Sequence, residues 1–190
     1  MTKKRKLYER HGRRWLSPGP SLTAVGWSVA EKDINYPHAC LGIYNYGEQV
    51  RLHSGNNTVQ GMREYKEKII ALRREINAFL LQLEYACSCS SPEPTTSRIW
   101  LNDQYGLNPR YTGSVAYYVN CDKYRFELAD CTTKIVFEGP LLHDAKKRKK
   151  DVRKLEILMI VINTLVAEVD RVIDLGLCSD QPHKLEKLPK

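Results

Sequence analysis

Residues 62–86, MREYKEKIIALRREINAFLLQLEYA, carry apolar side chains at Met62, Tyr65, Ile69, Leu72, Ile76, Phe79, Leu83 and Ala86. The steps alternate between three and four residues, a spacing that keeps one narrow stripe of a helix turned toward a partner. A second stripe, Leu155, Leu158, Ile162, Leu165, Val169 and Val172, repeats the alternation, each member 86 residues after a member of the first. Ile76-Asn77 is echoed by Ile162-Asn163. The spacing predicts two long helices lying lengthwise on each other. Their seams meet either inside one molecule or across a two-fold axis, as a homodimer through the long helices.

The stretches ahead of each helix read as strands, so the expected class is α+β. Leu22 to Ala30 alternates, and Leu41–Tyr44 and Gln49–His53 flank Asn45-Tyr46-Gly47-Glu48, which has hairpin-turn composition. Residues 54–58, SGNNT, stop the sheet and offer a cap for the first helix, expected to end near Cys87. Residues 1–20 read as a basic arm closed by Pro18-Gly19-Pro20, and residues 21–88 as a first half. Residues 89–97, within CSCSSPEPTTS, have linker composition.

The second half, 98–178, opens with Arg98 to Asn102, followed by a Gly- and Pro-containing turn region through Gly113. Ser114–Asn120 and Tyr124–Ala129 form the clearest hairpin, joined through Cys121-Asp122-Lys123. In it Val115, Tyr117 and Val119 should share a face with Tyr124, Phe126 and Leu128. Thr132–Glu138 is a further strand, closed by Gly139-Pro140. The second helix is expected from about Leu141 to Leu175 with Gly176 as its terminator, and residues 179–190 form a tail. Each half is thus several strands followed by one long helix, the order an internal duplication would leave. In element order alone the chain resembles the duplicated strand-strand-strand-strand-helix layout of the Whirly and related single-strand-binding proteins. The resemblance covers layout and no motif, and a shared layout does not by itself carry a function.

Charge is the stronger functional signal. The chain of 190 residues carries a formal net charge of +8, and the excess sits in two places. Residues 1–14 hold seven Lys or Arg against Glu9 alone, and residues 144–154 hold seven against Asp144 and Asp151. Clustered cations of this kind suit a polyanion, because each phosphate contact releases counterions. The expected contacts are Lys3, Lys4, Arg5, Lys6, Arg10, Arg13 and Arg14 in the arm, and Lys146, Lys147, Arg148, Lys149, Lys150, Arg153 and Lys154 at the second helix start. Trp15 and an outward-facing Tyr118 are the candidates to stack on bases. Five like charges at a helix N-terminus repel one another and oppose the macrodipole, a local cost that a bound anion would offset. The same pentad resembles a nuclear import signal. The plainer alternative is a solvated tail and a solvated helix start.

Sequences that mark catalysis are absent: there is no G-x-G-x-x-G, Walker loop, G-x-S-x-G or H-E-x-x-H. The five histidines stand at no metal spacing, and Cys87-Ser88-Cys89 is not the C-x-x-C of zinc or redox sites. His38 near Cys40 lacks an identifiable orienting group. Glu64-Tyr65-Lys66 has the E-x-K form of some metal-dependent nucleases, but it falls on the periodic helix, where Glu64 and Lys68 make an i,i+4 pair. The expectation is a non-enzyme without metal or cofactor. The basic N-terminus has no apolar core after it, unlike a secretory signal. Residues 155–169 are too short and too polar to span a bilayer. An intracellular protein, cytoplasmic or nuclear, with reduced cysteines is expected.

Two functions follow, from different classes. One is a nucleic-acid-binding protein for RNA or single-stranded DNA, since no short recognition helix is evident. The other is a small virus-encoded interaction protein that blocks a host nucleic-acid-handling or defence complex by occupying an acidic protein surface. A small-nucleotide or phosphate-binding protein is a third class, for which the sequence shows no pocket.

Overall fold

The computed structural model of the chain describes residues 6–10, 13–17, 25–29, 39–45, 48–54, 58–101, 113–130 and 132–178, the first three segments and Asn45 by backbone alone. The elements in order are β1 (Lys6–Arg10), β2 (Arg13–Ser17), β3 (Val25–Val29), β4 (Ala39–Asn45), β5 (Glu48–His53), α1 (Val59–Ser88), β6 (Thr95–Leu101), β7 (Gly113–Val119), β8 (Lys123–Ala129), β9 (Lys134–Pro140) and α2 (Ala145–Asp174). The strands form two antiparallel sheets in sequential order, β1 to β5 and β6 to β9. The fold is α+β, with the two long helices packed against each other.

Both helices obey their seams. Met62, Tyr65, Ile69, Leu72, Ile76, Phe79, Leu83 and Ala86 are all buried on α1, as are Leu155, Leu158, Ile162, Leu165, Val169 and Val172 on α2. Each helix runs 30 residues, and both ends of α2 lie 86 residues after those of α1. The seams are consumed within one chain, so neither offers its apolar stripe to a second copy. Asn77 and Asn163 are exposed beside them. The helices run antiparallel, with Lys66 near the start of α1 bonded to Asp170 near the end of α2 at 2.7 Å.

Caps set the helix limits. Thr58 accepts from the Gly61 N–H and opens α1. Asp144 accepts from the Lys147 N–H at 2.9 Å. That cap moves the start of α2 to Ala145, four residues later than expected from Leu141, because the carboxylate satisfies a donor no helical carbonyl can reach. Gly176, with φ 65°, ends α2 in the left-handed conformation glycine tolerates.

Each helix crosses to the other half's sheet. α1 follows β5 but lies across β6 and β7, while α2 follows β9 and lies across β3 and β4, keeping contact with β9. Phe79 of α1 accordingly meets Tyr117, Tyr124 and Phe126, with ring centroids 5.7, 6.4 and 5.2 Å away. One continuous core results, drawing on both sheets and both helices. The sheets meet where β5 approaches β9. There Asp130 accepts from the Arg51 N–H at 2.9 Å, and a Cβ added at Gly113 of β7 would stand 2.6 Å from Leu52 Cδ2 of β5.

Two further expectations change in detail. Thr95, Thr96 and Ser97 belong to β6 rather than to a linker, which shortens to residues 89–94. Their polarity reflects position: Ser97 donates to Glu75 of α1 and Thr95 to Gln82, while Thr96 is exposed. Within the stretch read as an arm, β1 and β2 pair as a hairpin at the sheet edge, Lys6 opposite Ser17 and Arg10 opposite Arg13. The β7–β8 hairpin has the expected register, Val115 opposite Leu128, Tyr117 opposite Phe126 and Val119 opposite Tyr124. The turn residues Tyr46 and Gly47, and the tail 179–190, lie outside the described residues. No helix among the described residues is long and apolar enough to cross a membrane.

Candidate nucleic-acid interface

A helix advances about 100° per residue, so the seven cations between Lys146 and Lys154 cannot share one side. Running the seam of α2 backward from Leu155 in the same steps lands on Asp151 and Arg148, which fixes the inward direction. Asp151 is only 6% exposed. It accepts from the Tyr124 hydroxyl at 2.9 Å and from the Lys147 ammonium at 3.0 Å. Lys147 also donates to the Glu138 carbonyl and lies 5.8 Å from the Tyr124 ring centre. Lys154 is 5% exposed, its ammonium 5.5 Å from the Phe137 ring. Arg148 is half-buried, and its Nη1 has no hydrogen-bond partner among the described residues.

The other four remain available. Lys146, Lys149, Lys150 and Arg153 are exposed, and their i, i+3, i+4, i+7 spacing puts them on one stripe opposite the buried face. The stripe spans about 10 Å of helix. Lys146, Lys149 and Arg153 form no ion pair among the described residues. The cluster therefore divides: four cations face outward together, and three turn toward the body of the protein. The helix N-terminus is not an open anion cradle, because the Asp144 carboxylate already takes the Lys147 N–H.

Burial pushes the Tyr124 hydroxyl far above its ordinary pKa, and the charge of Asp151 and the hydrogen bond to it push it further. The phenol thus stays a donor, and the Tyr124–Asp151–Lys147 group fixes the start of α2 against β8.

In the N-terminal cluster, Lys6, Arg10, Arg13, Arg14 and Trp15 sit on β1 and β2; Lys3, Lys4 and Arg5 lie outside the described residues. Tyr118 lies on the outer face of the second sheet, half-buried, with the Lys123 ammonium 5.9 Å from its ring centre. Sequence reasoning did not single out its neighbours Arg98 and Trp100, although the alternation in TTSRIWL puts Thr96, Arg98 and Trp100 on one side.

The remaining candidates gain no constellation. Glu64 accepts from Gln60, and Lys66 binds Asp170. Cys40 meets its cross-strand neighbour His53, Sγ to Nε2 3.9 Å, and His38 lies outside the described residues. No group of three or more His, Cys, Asp or Glu suited to a metal ion occurs among the described residues. No protein-family model, curated protein or solved structure matches the chain.

Proposed function

We propose that the chain is a non-enzymatic nucleic-acid-binding protein that holds the phosphate backbone of RNA or single-stranded DNA. The observation that carries this reading is the solvent-facing stripe Lys146, Lys149, Lys150 and Arg153. Four cations on one side of a rigid helix, three of them without an acid partner among the described residues, place positive charge where a polyanion can reach it. The basic residues of the N-terminal stretch supply the second cluster. An RNA or single strand suits this surface better than a duplex groove, since α2 is anchored along its length and does not project as a recognition helix.

The test is anisotropy of a labelled single strand titrated with the full chain from about 50 to 200 mM salt. The logarithm of the binding constant should fall linearly with that of salt, by about 0.7 per phosphate neutralised. The K146A/K149A/K150A/R153A variant should flatten that slope by about 3. Affinity indifferent to salt, or a quadruple variant that binds as the wild type does, overturns the reading. Recovery of one stoichiometric acidic protein after nuclease treatment, with no strand binding, would move the assignment to an interaction protein.

A further inference from the structure

We infer that the outer face of the second sheet is a base-stacking platform for single-stranded nucleic acid, anchored by Trp100. This inference rests on the backbone-binding reading above and gives it a second surface. Trp100 is 63% exposed near the end of β6, the edge strand of the second sheet. An indole left in water on a regular strand forgoes the burial that aromatic side chains ordinarily contribute to a core.

The cross-strand rows show what surrounds it. Trp100 pairs with Ser114, Ser114 with Ala129 and Ala129 with Lys134. The ring therefore stands beside two small residues, with a cation at the far edge. The Arg98 guanidinium lies 6.0 Å from its centre, close enough for a cation–π contact that orients the ring. Two rows along, Tyr118 carries Lys123 against its own ring. Beside Tyr118 lies an open groove of about 360 Å³ lined by Thr96, Arg98, Ala116, Arg125 and Glu127, one cross-strand row away from Trp100.

Charge selects the occupant. Both acids of this face, Glu127 and Glu138, are bonded to Arg125 at 2.7 Å. Arg98, Lys123 and Lys134 form no ion pair among the described residues. Aromatic rings interleaved with cations that have no acid partner among the described residues favour stacked bases joined by phosphates over a neutral or basic protein surface. A related row runs in the register of the first sheet: Tyr8 opposite Trp15, Trp15 opposite Gly26, Gly26 opposite Gly42 and Gly42 opposite Arg51. In each sheet a tryptophan is followed across the strands by two small residues and then a cation, and in the first sheet Tyr8 of β1 stands before it.

The experiment compares a labelled oligo-dT with an abasic strand of the same length, each titrated with the full chain. The wild type should prefer oligo-dT. Trp100→Ala should weaken oligo-dT binding by about 5- to 100-fold, as loss of one base–aromatic stack does, and bring it level with the abasic strand. Its salt slope should not change, and Trp100→Phe should restore most of the preference. If Trp100→Ala binds both strands as the wild type does, the platform is overturned while the backbone reading stands. If the wild type binds neither strand, the backbone reading itself fails and the platform with it.

Discussion

The Tyr124 hydroxyl on β8 donates to the Asp151 carboxylate on α2 across 2.9 Å, and Lys147 approaches the same oxygen from the solvent side at 3.0 Å. One buried acid thus joins the second sheet to its own helix and holds one lysine of the basic cluster out of the exposed stripe.

Replacing Tyr124 by Phe removes the donor and keeps the ring. A hydrogen bond to a charged acceptor contributes roughly 1.5–3 kcal/mol. Urea unfolding of the Tyr124→Phe protein should show a loss of about 2 kcal/mol with an unchanged m-value. A loss well under half of that would mean that Lys147 alone satisfies Asp151.

Alkaline stability has a defined sign. Burial, first of all, raises the hydroxyl pKa of both Tyr65 and Tyr124. In the unfolded chain both phenols ionise near pH 10, so above that pH the unfolded state releases protons that the folded state retains. Stability should be fully present below about pH 10 and fall as pH rises beyond it. Circular dichroism across that range should show a shallower fall in Tyr124→Phe.

Asp130 sets the acid limb. Its partial burial would raise its pKa, but the Arg51, Thr132 and Thr133 N–H groups outweigh that and hold it below the ordinary carboxylate value. Its contribution is present above the unfolded value near pH 3.9 and disappears as pH falls through the lower folded value. Asp130→Asn should therefore flatten the loss of stability below about pH 4 while lowering stability at neutral pH. An unchanged acid limb would remove Asp130 from the account.

Lys146 and Lys154 should separate binding from folding. Lys146→Ala, on the exposed stripe, should reduce the salt slope by about 0.7 and leave stability within about 0.5 kcal/mol. Lys154→Ala, beneath the helix against Phe137, should lower stability by more than about 1 kcal/mol and leave the slope unchanged. Titration and urea unfolding of the two variants side by side provide the comparison.

Gly113 of β7 lies against Leu52 of β5. A methyl group there would push on Leu52 Cδ2 from 2.6 Å and face the Ala129 carbonyl oxygen at 3.4 Å. Gly113→Ala should cost about 1–3 kcal/mol by overpacking, and Leu52→Val in the same chain should recover part of it. Full stability in the single variant would show that Leu52 swings aside freely.

Much of this architecture was legible because helical periodicity is local. The 62–86 stripe named eight residues of α1, and all eight are buried. The β7–β8 hairpin was equally plain, since alternation fixes both the face and the partner. The start of β6 was hidden because Thr95, Thr96 and Ser97 serve exposed or helix-bonded positions that look like a linker. The division of the basic cluster was recoverable: extending the α2 seam backward reaches Asp151 and Arg148, so Lys154 had to turn inward and Lys147, four residues before Asp151, had to come within reach of its carboxylate. Trp100 was not, because alternation says which residues share its side of β6 but not which side faces water. The exchange of helices between sheets left no trace either, as an amphipathic stripe records that it is covered and not by what.

That exchange governs how the chain must come into being. As the first 88 residues leave the ribosome, β3 and β4 stand without the helix that will cover them, and α1 has no second sheet to lie on. β3 and β4 wait for α2, which begins at Ala145, 100 positions after β4 ends at Asn45, so the native core closes late and over long loops. Until then the apolar stripe of α1 lacks the second sheet that covers it in the folded chain. Once closed, the two halves are interlocked, and neither can let go while the other stays folded.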